Sequence, residues 1–149
     1  LKAVDYPKDW YELNETLKAE QEDLRVLFLP WHQYLGFMFV GRVIANPAQN
    51  FFAKPTIQGD NMEFGQIYSQ SNNPDSKYIE ENMIKAKTTP EKVGEILLPL
   101  KIKYIILAKE IDWKSYEYLD KQKDLKLISE RGSLKVYQNL AFDKKGDER

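Results

Sequence analysis

A short apolar run that stops at a proline sets the first limit on this fold. Arg25-Val26-Leu27-Phe28-Leu29 is followed at once by Pro30. The run is continuously apolar after its first residue, which is typical of a strand that is covered on both faces of a sheet. The segment 102–108 is the clearest strand pattern in the chain, with Tyr104-Ile105-Ile106-Leu107 at its centre. The chain is therefore predicted to contain at least two buried strands.

Helical patterns separate these strands. Predicted helices cover about residues 9–21, 74–87 and 89–100, and a short one follows residue 112. Asp9 and Glu12 have the spacing of a capping box, and Asn73 before Pro74 is an N-cap pattern. Asp112 is predicted to cap the last of these helices. Strands that alternate with helices favour a largely parallel sheet with both faces covered.

The chain closes with a hairpin pattern. Leu125–Glu130 and Leu134–Tyr137 flank the turn Arg131-Gly132, so these two strands should be antiparallel. The prediction is a Rossmann-like α/β fold with a mixed, mostly parallel sheet, flanking helices and a C-terminal β-hairpin. Residues 34–52 fit either a helix or a hairpin. We expect one domain over residues 1–142, followed by a charged, disordered tail over residues 143–149.

Composition and missing motifs exclude several kinds of site. The 149 residues carry a net charge of −1, so we expect no nucleic-acid partner. The absence of cysteine excludes disulfides and thiolate metal sites. No glycine-rich phosphate loop follows either strand and no G-x-S-x-G occurs, which disfavours nucleotide-dependent enzymes and common hydrolases. We expect no cofactor, no metal and no catalytic residue in this chain, and whether the parent protein is an enzyme stays open.

Polar and aromatic residues follow the first strand, where an open α/β sheet usually binds ligands. Candidate ligand-binding residues are Trp31, His32, Gln33, Tyr34, Asn46, Asp60 and Asn61. His32 is the only histidine, and three roles are open to it: holding a loop by hydrogen bonds, binding a ligand, or acting as a base with a partner that the sequence does not identify. The aromatic residues suit either sugar rings or the core. Gly59-Asp60-Asn61 fits a plain turn better than a cation site.

Three segments carry a resemblance to a known group of proteins. They are Tyr6-Pro7-Lys8-Asp9-Trp10-Tyr11-Glu12; Val26–Tyr34 together with Arg42-Val43-Ile44-Ala45-Asn46-Pro47-Ala48; and Leu98–Ile106, continued by Leu134-Lys135-Val136-Tyr137-Gln138-Asn139. Together they resemble the extracytoplasmic portion of multi-spanning membrane proteins of archaea and bacteria. That group comprises the YfhO-like proteins and related predicted membrane glycosyltransferases that use lipid-linked sugars.

The resemblance implies a location and partners rather than a reaction. It implies a domain on the extracytoplasmic side of the cell membrane, attached to the membrane-embedded remainder of the same polypeptide. The implied ligand is a glycan or a lipid-linked sugar. In such transferases the catalytic acid lies in the membrane half, so no catalytic residue is transferred to this chain. The start at Leu1 instead of Met also leads us to expect a piece of a longer protein.

Three hypotheses about function follow. The first is a non-catalytic domain of a membrane glycosyltransferase that assists glycan or acceptor binding. The second is a stand-alone soluble Rossmann-like enzyme, which requires His32 to meet Asp60 or Glu63. The third is an assembly module, which predicts a large exposed apolar patch and no small-molecule pocket.

Overall fold

The computed structural model describes residues 5–32, 34–37, 42–59, 63–64, 67–68 and 73–147. Its strands are β1 Arg25–Leu29, β2 Tyr34–Phe37, β3 Arg42–Ala45, β4 Thr56–Ile57, β5 Glu63–Phe64, β6 Ile67–Tyr68, β7 Ile102–Ala108, β8 Leu125–Arg131 and β9 Leu134–Asn139. Its α-helices are α1 Lys8–Ala19, α2 Ala48–Phe51, α3 Pro74–Ile79, α4 Val93–Leu97 and α5 Leu140–Asp147. A π-helical turn covers Glu80–Ile84, and 3₁₀ helices cover Leu98–Leu100 and Trp113–Lys121.

The main sheet has five strands in the order β4-β1-β7-β9-β8. β1 is parallel to both β4 and β7, whereas β9 is antiparallel to β7 and β8. The predicted mixed α/β sheet with a C-terminal hairpin is confirmed, and its parallel part consists of β4, β1 and β7. Two small antiparallel sheets, β2-β3 and β5-β6, lie outside it.

Helices cover both faces of the main sheet, because its central strands are apolar on both sides. Leu27 and Leu29 of β1 belong to one core cluster, and Val26 and Phe28 belong to the other. The first face is covered by α3, the π-helical turn, α4 and the 3₁₀ helix Trp113–Lys121. The second face is covered by α1, α2 and α5. The continuous apolar runs therefore form buried strands, as predicted.

The N-terminal helix differs from prediction at its cap. α1 begins at Lys8, and its N-cap residue Pro7 makes no side-chain capping bond. The carboxylate of Asp9 accepts hydrogen bonds from the backbone N–H and the hydroxyl of Ser133, at 2.9 and 3.0 Å. The capping-box prediction is wrong, because Asp9 lies inside the first turn and bonds to a distant loop. The predicted cap at Asn73 is confirmed, since its side chain accepts from the N–H of Asp75 at 2.9 Å.

Other elements also differ from their predicted bounds. Residues 34–37 and 42–45 form the antiparallel strand pair β2-β3, so the helical alternative is wrong for these residues. The helix predicted from residue 89 begins at Val93, since Lys92 has a left-handed φ of 54° that an α-helix does not contain. α5 makes residues 143–147 helical, where composition predicted a disordered tail. Within the described ranges, no helix is long and apolar enough to cross a membrane.

Candidate functional site

The carboxyl ends of β1, β4 and β7 meet at one edge of the sheet, here called the carboxyl edge. After β1 the chain passes through the cis Leu29–Pro30 bond to Trp31 and His32. β1 continues to β4 through α2 on the second face, whereas β7 continues into the 3₁₀ helix on the first face. Neighbouring strands whose connections leave on opposite faces form the crevice where open α/β sheets bind ligands.

An imidazole and a carboxylate lie together in this crevice. His32 Nε2 is 3.0 Å from Asp112 Oδ1, with side chains 22% and 45% exposed. A carboxylate in this position orients the imidazole ring. Asp112 was predicted to cap the following helix, but it makes no side-chain capping bond there. That prediction is wrong, because its carboxylate faces His32 instead.

Trp31 connects the end of β1 to the helices of the first face. Its side chain is 4% exposed and belongs to the core. Its backbone N–H donates to the hydroxyl of Tyr116 at 3.1 Å, and its indole N–H donates to Glu80 Oε1 at 3.3 Å. Glu80 is a buried carboxylate that opens the π-helical turn, and Lys85 Nζ lies 3.9 Å from its other oxygen. π-helical turns often occur at functional sites.

A buried amide and a glycine hold the segment that carries His32. The Asn46 side chain donates to the carbonyl of His32 at 3.4 Å and accepts from the N–H of Ala48 at 3.1 Å. The carbonyl of Asn46 accepts from the Gln58 side chain at 3.0 Å. A Cβ at Gly59 would lie 2.6 Å from the backbone nitrogen of His32. The absence of a side chain at Gly59 therefore lets the chain after β4 pack directly against this segment.

The loop after β7 carries backbone strain. Ile111 has a φ of 47° and is 60% exposed. A β-branched residue is rarely found in the left-handed region, and such strain clusters at ligand-binding and active sites. Ile111 lies directly before Asp112, so the strained residue borders the crevice.

The structure brings together Trp31, His32 and Asn46 from the set that the sequence predicted. Tyr34 begins β2, where only its backbone is described, and Gln33, Asp60 and Asn61 lie outside the described residues. A ligand-binding role for all of these residues stays a prediction. In the described part of the chain, no group of three or more metal-binding side chains is placed to hold a metal ion.

Sequence reasoning missed Asp112, Glu80 and Tyr116 as members of this edge. The rule that ligands bind after parallel strands was applied to β1 only. Applied equally to β7, it identifies Asp112. Glu80 and Tyr116 lie within helical segments and carry no comparable signal in the sequence.

Two surface grooves lie away from the carboxyl edge. One of about 730 Å³ lies beside the start of α4 and is lined by residues that include Lys92, Tyr118 and Asp124. Burial raises the pKa of Tyr118 to about 12. The other groove, of about 570 Å³, lies between α1 and β8. Neither groove is lined by His32 or Asp112, so the carboxyl edge is a candidate because of its chemistry and topology, not because of its depth.

Comparison with solved structures finds the same fold in part of a much larger enzyme. The chain is similar to a portion of the arabinofuranosyltransferase AftD from Mycobacteria, with a TM-score of 0.68 and 12% identity. The match covers 91% of this chain and 12% of AftD. A mutant form of AftD gives a TM-score of 0.62 with 11% identity over 90% of this chain and 13% of that chain.

A third similar structure is the C-terminal globular domain of an oligosaccharyltransferase from Archaeoglobus fulgidus. Its TM-score is 0.46, with 12% identity over 91% of this chain and 99% of that domain. No protein-family model and no curated protein matches the chain.

The two AftD structures show a shared fold. The chain spans about 12% of the length of AftD, and its fold is one that occurs within a glycosyltransferase. The resemblance to YfhO-like proteins, the archaeal or bacterial source and the side of the membrane stay predictions.

Proposed function

We propose that this chain is a non-catalytic, extracytoplasmic domain of a multi-spanning membrane glycosyltransferase that uses a lipid-linked sugar. The observation that carries the proposal is the fold shared with part of AftD, at a TM-score of 0.68 over 91% of this chain. A domain of this size is a small fraction of such an enzyme. The transfer reaction then belongs to the membrane-embedded remainder of the polypeptide, which is the proposed partner.

The proposed role of the carboxyl edge is to hold a glycan or acceptor. The imidazole of His32 and the carboxylate of Asp112 are both partly exposed, so one group offers a donor and the other an acceptor. Sugar hydroxyls need both kinds of partner. Because AftD is an arabinofuranosyltransferase, oligosaccharides that contain arabinofuranose are the first ligands to test.

One observation favours a second candidate, a stand-alone enzyme. A histidine oriented by a carboxylate is also the arrangement of a general base. The enzyme hypothesis required Asp60 or Glu63 to meet His32. In the structure it is the carboxylate of Asp112 that lies 3.0 Å from the imidazole of His32. Asp60 and the side chain of Glu63 lie outside what the structure describes.

The test is an NMR titration of the isotope-labelled chain with arabinofuranose oligosaccharides. We expect shifts centred on His32 and Asn46. Asp112→Asn should weaken binding by about tenfold, because it keeps the side-chain shape but removes the charge that orients His32. The matched control is Asp75→Asn, which removes the 2.7 Å ion pair with Arg25 at the opposite end of β1 and should leave binding unchanged.

Two outcomes contradict this proposal. If the NMR shifts spare the carboxyl edge, or if Asp112→Asn and Asp75→Asn bind the oligosaccharide equally well, the binding site lies elsewhere. Turnover of nitrophenyl glycosides or esters by the chain, lost in Asp112→Asn, would favour the enzyme instead.

A further inference from the structure

We propose that the groove beside the start of α4 is a second ligand-binding site, which takes a neutral oligosaccharide. We call it the α4 groove. Its lining comes from residues 89–92, from α4, from residues 118–124 and from the start of α5. The inference goes beyond the proposed function, because it assigns a site that shares no residue with the carboxyl edge.

The α4 groove has the size of a small-molecule site, and one amide holds its walls together. Its volume is about 730 Å³, which is within the range of such sites. Gln122 Nε2 donates to the carbonyls of Pro90 and Tyr118 at 3.0 and 3.1 Å. Gln122 Oε1 accepts from the N–H of Val93 at 3.1 Å. The loop before α4, the 3₁₀ helix and α4 are therefore fixed to one another before a ligand arrives.

Asp124 lines the groove and has an unused acceptor. Its Oδ2 accepts from the N–H of Glu95 at 2.9 Å, and its backbone carbonyl accepts from the N–H of Leu140 at 2.9 Å. Its Oδ1 is buried and makes no hydrogen bond to any residue that the structure describes. A buried carboxylate oxygen without a donor is rare and costs free energy. A hydroxyl group bound in the groove would supply the missing donor.

The charged side chains of the groove are balanced in sign. Three lysines and three carboxylates line it: Lys92, Lys121, Lys123, Glu91, Glu95 and Asp124. Within the described ranges, none of the six belongs to an ion pair. Equal numbers of both signs give no preference for an ionic ligand. Lysine only donates and a carboxylate only accepts, whereas a sugar hydroxyl does both, so a neutral sugar can use both kinds of partner at once.

Tyr118 gives the groove an aromatic wall. Its ring packs partly against the core of the first face, and with Pro90 it offers apolar area for the C–H face of a sugar. Burial raises the pKa of Tyr118 to about 12, so the hydroxyl stays protonated at neutral pH. That hydroxyl makes no hydrogen bond to another described residue. It is therefore available to a ligand, in surroundings of low polarity that strengthen a hydrogen bond.

The α4 groove and the carboxyl edge lie at opposite ends of one 3₁₀ helix. Asp112 precedes this helix and Lys121 ends it. With a rise of about 2 Å per residue, the nine-residue helix separates the two sites by about 18 Å. A small ligand on one site leaves the other open, so the two sites can be tested separately.

The test is an NMR titration of the isotope-labelled chain with two neutral hexasaccharides, one of arabinofuranose and one of glucose. With either of them, we expect shifts of the backbone amides of Val93, Glu95 and Gln122. Tyr118→Phe should weaken this binding by about fivefold, because it removes the hydroxyl and keeps the ring. Tyr118→Leu also removes the ring and should weaken binding further. The hydroxyl has no partner in the described part of the chain, so Tyr118→Phe should fold like the parent chain.

Tyr11→Phe is the matched control. Tyr11 is 49% exposed on α1, which lines no part of the α4 groove. The loss of its hydroxyl should leave binding unchanged. Equal losses in Tyr118→Phe and Tyr11→Phe, or full affinity in both Tyr118 variants, would overturn the proposal.

Inorganic phosphate tests the competing ligand class. If phosphate shifts the amides of the groove and neither hexasaccharide does, the lysines bind an anion and the proposal is wrong. Shifts confined to His32 and Asn46 would also overturn it, but they would support the glycan site at the carboxyl edge. Shifts confined to the α4 groove would support this proposal and contradict that site, so the two failures are distinguishable.

Discussion

At the scale of single residues, one buried amide holds three elements together. Asn139 is 0% exposed, and its side chain donates to the carbonyls of Gly94 and Ile102 at 2.9 and 3.0 Å. Its oxygen accepts from the N–H of Ala141 at 3.0 Å. Asn139 ends the Val-Tyr-Gln-Asn segment that contributed to the family resemblance. In this domain the asparagine joins β9, α4 and the start of β7, which is a structural role.

Asn139→Ala should lower the free energy of unfolding by about 2–4 kcal/mol. The substitution leaves two carbonyls and one N–H without their side-chain partner in a buried place. Urea unfolding followed by circular dichroism measures the change. Asn82→Ala is the control, since Asn82 is exposed and donates to the carbonyl of Tyr78 within its own helical segment. Its effect should stay within about 0.5 kcal/mol, and an equal loss in both variants would contradict the role of Asn139.

At the scale of elements, a carboxylate joins the 3₁₀ helix Trp113–Lys121 to the sheet. Asp120 accepts from the Tyr137 hydroxyl at 2.6 Å and from Lys135 Nζ at 3.0 Å. Burial opposes ionisation of Asp120, but the hydrogen bonds from Tyr137 and Lys135 outweigh it and lower the pKa of Asp120. Burial and the bond to Asp120 raise the pKa of Tyr137. A 3₁₀ helix has poor internal hydrogen-bond geometry, so this external contact supports it.

Asp120→Asn should reduce stability by about 1 kcal/mol at neutral pH, because the side chain is 41% exposed and solvent screens its charge. A lowered pKa in the folded state means that the charged carboxylate stabilises the fold above its ordinary pKa of 3.8. This contribution is lost as the pH falls through the folded pKa. The difference between the parent chain and the variant should therefore shrink below about pH 4.

Urea unfolding at pH 6 and pH 3 measures this difference. Glu117→Gln is the matched control, because Glu117 is an exposed carboxylate on the same helix. A difference for Asp120→Asn that does not depend on pH would show that its charge contributes nothing.

At the scale of the whole molecule, the two cores share their central strands. Neighbouring residues of β1 and β7 belong to opposite clusters, so neither cluster can form without the sheet. The domain should therefore unfold in one cooperative step.

Leu17→Ala on the second face and Leu97→Ala on the first should each lower the free energy of unfolding by about 2–5 kcal/mol, because both side chains are at most 1% exposed. Far-ultraviolet circular dichroism and tryptophan fluorescence should report coincident transitions in both variants. Leu127→Ala is the control, since Leu127 is 41% exposed, and it should change little. Transitions that separate by probe in either core variant would contradict the single cooperative unit.

Local sequence patterns were sufficient to predict most of the helices and strands. The apolar runs identified β1 and β7 because a strand with both faces buried tolerates no polar positions in its centre. The short turn around Gly132 identified the β8-β9 hairpin, and Gly132 has the positive φ of 58° that such a turn requires. The segment 34–52 stayed undecided between a helix and a hairpin, because its apolar residues satisfy both a helical and an extended period.

Only part of the candidate site could be predicted from the sequence. His32 and Trp31 follow a predicted strand, and that position singled them out. Their partners lie far along the chain: Asp112 is 80 residues from His32, and Glu80 and Tyr116 are 49 and 85 residues from Trp31. Asp9 and Asp112 were assigned to helix caps, because a sequence pattern reports only the local hydrogen bonds that a side chain can make.

The sequence by itself therefore determined the class of fold, the buried strands and one end of the site, since these depend on hydrophobic periodicity and on turns between neighbouring residues. Only the tertiary structure decided which carboxylate faces His32 and which residues hold Trp31. The parallel pairing of β1 with β7 places the loop after residue 108 beside the loop after residue 29. That juxtaposition depends on how the sheet is ordered, and no local pattern carries it.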